Sequence, residues 1–171
     1  MTDKNSSTSK PSKEKTVMIF GTFDLLHAGH ENLVRQAREL GDKVIAIIAR
    51  DKTVKNIKGH LPDADENTRL KNLKNTGWVD EIYLGDIKDK TKFIKQIKPH
   101  IIALGYDQFA FTYNLERLII ENRLNTRIVR LTPYRPEIYK SSLLKKQMKN
   151  ENSEKPQREN QLNSITLEKT I

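Results

Sequence analysis

Apolar residues fall along this chain in two kinds of run. The first kind is short and nearly unbroken: TVMIF (16–20), KVIAIIA (43–49), EIYLG (81–85), HIIALG (100–105) and RIVRL (127–131). Such runs, rich in β-branched and aliphatic residues, predict strands buried on both faces, as in a parallel sheet covered by helices. The second kind repeats at helical spacing. HENLVRQARELG brings Leu33, Val34, Ala37 and Leu40 to one face, with Gly41 as a stop. ADENTRLKNLKNTG, YNLERLIIENRL and SSLLKKQMK predict further helices, and DKTKFIKQIKP another that ends at Pro99. Strand and helix alternate, so the expected fold is α/β: a single doubly wound, Rossmann-like domain with a five-stranded parallel sheet and helices on both faces.

The pattern fades at both ends. Residues 1–15 are rich in Ser, Thr, Lys and Pro, and from Gln147 onward almost nothing is available to bury. Disordered tails at 1–15 and 147–171 are therefore expected around one domain at 16–146. The whole chain, 171 residues, suits one core and leaves little for a second. No internal repeat is evident.

Charge narrows the partner. Lys and Arg number 31 against 22 Asp and Glu, a net charge of +9, which favours an anionic ligand. There is no cysteine, so disulfides and thiolate metal sites are excluded. The first residues, MTDKNSSTSKPSKEK, lack the apolar stretch of a signal peptide, and no later run approaches membrane-spanning length. A cytoplasmic address, away from membranes, is expected. A basic chain could bind nucleic acid, but neither an RNA-binding aromatic signature nor a helix-turn-helix pattern is present, so no nucleic acid partner is expected.

The densest chemistry lies in GTFDLLHAGH, Gly21 to His30. It follows the first strand directly and runs into the first helix, so it sits where α/β folds hold their ligands. The start of a helix offers free backbone donors and the positive end of a dipole, which attract phosphate. His27 and His30 add imidazole donors there, and Gly29 allows close approach of the backbone. A metal site is the competing reading of the pair. With only His60 and His100 elsewhere and no cysteine, the ligand count speaks against zinc, and no metal-ligating side chains are assigned. Incidental residues at a helix start are the bland alternative. Neither P-loop nor dinucleotide-binding glycine spacing occurs.

GTFDLLHAGH resembles the signature of the cytidylyltransferase-type branch of the nucleotidylyltransferase superfamily, whose hallmark is HxGH at the start of the first helix. The resemblance runs from about Thr16 to Lys146. ENTR, ending at Arg69, resembles the family's arginine-bearing helical segment. ALGYDQ (103–108) resembles its base-handling loop after the fourth strand, and YRPEIYKSSLLKK resembles its closing signature, with Arg135, Ser141 and Ser142 as counterparts of the triphosphate contacts. IARDKTVKNIKG, IKPHIIALGYDQ and EIYKSSLLKK are similar in particular to archaeal-type FAD synthases. Lys140 and Leu143 depart from the pattern, standing where a small hydroxyl residue and a lysine are common, and LPDADENTR lacks the usual Pro and Glu arrangement.

The resemblance implies adenylyl transfer from ATP to FMN, giving FAD and pyrophosphate. The alternatives are CTP with glycerol 3-phosphate or another sugar or polyol phosphate, and a catalytically silent nucleotide sensor. It further implies magnesium travelling with the triphosphate. The catalytic roles fall to His27, His30 and Lys58. Nucleotide contacts fall to Gly21, Thr22, Phe23, Gly29, Gly105, Asp107, Arg135, Ser141 and Ser142. Acceptor contacts fall to Asp24, Lys55, Arg69, Phe109 and Phe111, the two phenylalanines as stacking partners for a flavin or adenine ring, with inward packing as their alternative. Lys55 and Lys58 are read here as lying in a charged loop. Trp78 reads as core. Family members often form homodimers, and the sequence leaves the assembly open.

Overall fold

A computed structural model of the chain describes residues 14–108 and 112–139. Five strands, β1 (Thr16–Gly21), β2 (Lys43–Ile48), β3 (Glu81–Leu84), β4 (Ile101–Leu104) and β5 (Arg127–Arg130), form one sheet in the order β3-β2-β1-β4-β5. All neighbouring pairs are parallel. Central β1 pairs Met18 with Ile45 of β2 on one side and with Ile102 of β4 on the other. Successive side chains of a strand point to opposite faces, and the burial follows that rule. Val17, Ile19, Val44, Ala46, Ile48, Ile101 and Ala103 belong to one core, and Met18, Ile45, Ile47, Ile102 and Leu104 to the other.

Helices cover both cores. α1 (Ala28–Arg38) sets Val34 and Ala37 into the first, and α3 (Glu66–Thr76) adds Leu73. On the other face α4 (Lys92–Ile97) contributes Ile94, and α5 (Thr112–Glu121) contributes Leu115 and Leu118. The doubly wound parallel sheet and the five strands agree with the sequence pattern. The expected final helix, the expected C-terminal tail and residues 1–13 lie outside the described residues, while Lys15, expected in the N-terminal tail, donates its N–H to the Asp42 carboxylate and accepts the Asp42 and Lys43 N–H groups. Trp78 packs against the first core while remaining partly exposed.

Two local expectations are corrected. DKTVKNIK, read as a charged loop, is helix α2 (Asp51–Lys58), which buries Val54 and stops at Gly59 in the left-handed region at φ 78°. α1 ends at Arg38, before Gly41. Gly41 serves packing instead: a Cβ there would lie 2.5 Å from the Lys15 carbonyl oxygen and 2.8 Å from Val17. Among the described residues no helix is long and apolar enough to cross a membrane.

β1 is the strand at which the chain's winding reverses, with β2 and β3 on one side and β4 and β5 on the other. Loops leaving the carboxyl ends of β1 and its neighbours diverge there and open a crevice. The GTFDLLHAGH segment enters it.

Candidate active site

The crevice is a cleft of about 1400 Å³, lined on one side by α2 and the loops after β2 and β3, and on the other by the loops after β4 and β5. That volume exceeds the ~300–1,000 Å³ of common single-ligand pockets and leaves room for two molecules. His27 and His30 lie at its middle, at the start of α1.

His27 is the N-cap residue of α1. Its extended backbone, φ −149°, lets its carbonyl accept the His30 N–H at 2.8 Å, while its ring Nδ1 accepts the Gly29 N–H at 3.1 Å. A neutral imidazole that accepts through Nδ1 carries its proton on Nε2, so the cap bond also sets the tautomer. The His30 ring stacks on the His27 ring with centroids 4.0 Å apart. Its Nδ1 is buried and has no hydrogen-bond partner among the described residues.

Burial, then the His27 ring, then the Lys58 charge, push the His30 pKa down to about 3; the Leu25 carbonyl and Asp24 oppose the shift. Burial lowers His27 as well. Both rings are therefore neutral near pH 7 in the free protein, and a phosphate arriving beside them meets N–H donors without a compensating counter-ion already in place. Lys58, at the end of α2, lines the same part of the cleft.

The other expected contacts divide. Gly21, Thr22, Gly29, Gly105 and Asp107 line the cleft, as does Asp24. Phe23 is only 1% exposed, in the left-handed region at φ 52°, and its ring fills the space above Gly21 and lies 5.3 Å from His30. Nearly buried, it still lines the cleft. Asp24 is buried, and its carboxylate accepts the N–H groups of Asp63 and Ala64, each at 3.0 Å, which pins the loop between α2 and α3 over the cleft.

Arg69 is corrected. Expected at the acceptor, it is 0% exposed, and its guanidinium donates to the carbonyls of Thr22, Ala49 and Ala64 and pairs with Asp51 at 2.6 Å. It lies beneath the cleft without lining it, tying the ends of β1 and β2 together. Lys55 and Arg135 are exposed and neither lines the cleft, whereas Lys58 does, and Tyr134 and Tyr139 line it near Arg135. Phe109, Phe111, Ser141 and Ser142 lie outside the described residues.

Sequence reasoning missed Gln108. Its side chain accepts the Gly105 N–H at 3.3 Å and donates to the Phe20 carbonyl at 2.8 Å, bracing the loop after β4 against β1. It also missed Ile57 and Leu61 on the α2 side, and the stacked pair Tyr134 and Tyr139, whose rings are 5.7 Å apart. No three His, Cys, Asp or Glu side chains converge as a metal-ligand set among the described residues.

The chain is similar to known proteins over most of its length. The family model described as cytidylyltransferase-like matches residues 18–149. A Thermoplasma acidophilum protein named FAD synthase is 37% identical over 132 residues, covering 77% of this chain and 92% of its own length. A FAD synthase of Methanococcoides burtonii is 42% identical over 115 residues, covering 67% and 79%. A solved Thermoplasma volcanium structure, titled as a lipopolysaccharide core biosynthesis protein, superimposes with a TM-score of 0.67 at 37% identity, covering 71% of this chain and 99% of that one. The histidine pair at the first helix, the switch-point cleft and matches of this length agree, and the chain belongs to the cytidylyltransferase-like family.

Proposed function

We propose that the protein is an FAD synthase, which transfers AMP from ATP to the phosphate of FMN and releases pyrophosphate. The observation that carries the nucleotidyl-transfer chemistry is the neutral His27 and His30 pair at the amino end of α1, facing a cleft with room for two ligands. The identity of the acceptor rests on the likeness to relatives named FAD synthase over most of the chain.

The reaction is an in-line displacement. A phosphate oxygen of FMN attacks the α-phosphorus of ATP, the bond to the bridging oxygen breaks, and the electron pair leaves with pyrophosphate. Such transfers need positioning and charge neutralisation more than a covalent intermediate. The helix start and His27 Nε2–H would hold phosphate oxygens, Lys58 would neutralise charge as the two phosphates approach, and His30 would stabilise charge that grows in the transition state. Arg135, Ser141 and Ser142 are assigned to the departing pyrophosphate by resemblance to the closing signature. The nucleotide base belongs on the side of Gly105 and Asp107, the acceptor on the side of α2. A divalent cation would travel with the triphosphate, since among the described residues the carboxylates of the cleft are scattered and form no ligand cluster. A cytoplasmic address belongs to the same reading.

The test is a chromatographic product assay with magnesium and three substrate pairs: ATP with FMN, CTP with glycerol 3-phosphate, and ATP with a sugar phosphate. The third pair is included because a solved relative of comparable identity carries a title from lipopolysaccharide synthesis. FAD forming from the first pair alone supports the proposal. A product from either other pair, with no FAD, keeps the roles of His27 and His30 and overturns the acceptor. Nucleotide binding with no product from any pair favours the silent sensor.

A further inference from the structure

The cleft carries apolar surface that phosphate chemistry does not require. Ile57 is 66% exposed and Leu61 is 54% exposed, and both line the cleft. On α2 the large aliphatic residue that faces the sheet is Val54, 2% exposed. Ile57 follows Val54 at three positions on the next turn of α2, and Leu61 lies in the loop just past the Gly59 cap, so apolar surface continues from the end of α2 into the cleft. The start of α2 is held in place: Arg50 donates to Glu66 at 2.8 Å, and the Asp51 backbone N–H donates to the same carboxylate at 2.9 Å. Ile57 therefore sits on an anchored helix, and Leu61 lies three residues past its end.

Building on the FAD synthase reading, we infer that Ile57 and Leu61 form the platform on which the isoalloxazine ring of FMN packs. Thr53, His60 and Asp63 line the cleft beside them and offer polar partners, but two bare aliphatic side chains give a wide, flat ring system a surface that a polyol or sugar phosphate would not use. Lys58 stands between them in the sequence and acts electrostatically on His30, so a phosphate held at Lys58 and the histidines leaves the remainder of the same molecule beside Ile57 and Leu61. The ribityl chain spans the interval. This wall selects the flavin ester among phosphate esters, while the histidines and Lys58 serve any of them.

FMN binding to the full chain is measured by quenching of flavin fluorescence, and steady-state FAD formation gives separate KM values for FMN and ATP. The variants are Ile57→Ser, Leu61→Ser, the double variant, Ile57→Leu, and Phe109→Ala for comparison, each checked by thermal unfolding. Each serine variant is expected to weaken FMN binding about tenfold and the pair on the order of a hundredfold, with the KM for ATP within about twofold of the parent. Ile57→Leu should bind FMN like the parent. A double variant that keeps the parent's FMN affinity overturns the platform, as does a loss confined to Phe109→Ala or one shared equally by ATP. If the parent makes FAD and the double variant is unaffected, the platform alone fails. If the parent makes no FAD, the FAD synthase reading fails and takes the platform with it.

Discussion

The imidazoles of His27 and His30 are stacked, with centroids 4.0 Å apart and planes inclined by 29°. Two rings so close repel each other when both are charged, and burial of His30 adds a desolvation cost, so the free pair is neutral near pH 7. A bound triphosphate reverses the balance by bringing negative charge to the rings. In histidine NMR spectra of the free protein, His30 should stay neutral from about pH 5 to 8, and a non-hydrolysable ATP analogue should move its midpoint upward. Binding then takes up protons and tightens as pH falls. An unmoved midpoint at saturation would place the phosphates elsewhere.

The same shift has a consequence for stability. The unfolded chain binds a proton at His30 near the ordinary value of 6.5, the folded one only near 3. Between those limits the unfolded state carries more protons, so stability falls as pH is lowered through that window. His30→Gln removes the titration and should flatten the acid side of the stability curve by up to about 1.4 kcal/mol per pH unit. Urea unfolding at a series of pH values checks it. The same variant should lose roughly a hundredfold or more in turnover at pH 7, as expected for a removed transition-state donor.

Gly29 protects the tautomer of His27. A Cβ at this position would stand 2.9 Å from the His27 ring and 3.2 Å from the Tyr139 carbonyl oxygen. The imidazole can swing away only by giving up its bond to the Gly29 N–H, which is the side-chain cap of α1. Gly29→Ala should therefore cost about 1 kcal/mol of stability, the usual worth of a cap, and far more in kcat. Parallel thermal melts and single-turnover rates separate the two. Equal small losses in both would mean that the ring's orientation is not what the reaction needs.

The five strands were legible because each is short, largely apolar and set between helical patterns, but the expected burial on both faces fails at the edges, where β3 and β5 hold no buried residue. The role of GTFDLLHAGH was legible for the same reason, since its place after β1 follows from strand order alone. Helix α2 was not. Its eight residues include β-branched Thr53 and Val54, Arg50 provides no side-chain cap, and the lysines disguise the one buried position. Nothing in the sequence marks the positive φ of Phe23, a non-glycine residue whose ring is buried at the cleft. Gln108 reads as an ordinary loop amide until β4 and β1 are side by side.

Arg69 shows the remaining gap, since an arginine on a lysine-rich helix reads as solvent-facing and this one is fully buried. Its planar group of donors reaches the carbonyls of Thr22, Ala49 and Ala64 together with the Asp51 carboxylate. Replacing it by Met removes the donors and leaves those acceptors unpaired beneath the cleft, at a cost of about 3–5 kcal/mol. That is a large part of the ~5–15 kcal/mol by which a domain of this size is stable. Arg69→Lys keeps the charge but offers one compact ammonium in place of a fork, so it should recover only part of the loss. Because Thr22 and Ala49 follow β1 and β2, the surviving folded fraction should show a lowered kcat as the histidine segment loses its support. Denaturant unfolding decides between this role and direct contact with the acceptor. A contact residue would give a stable protein with a raised KM for FMN, whereas a buried brace gives a destabilised protein whose KM for FMN changes less than its kcat.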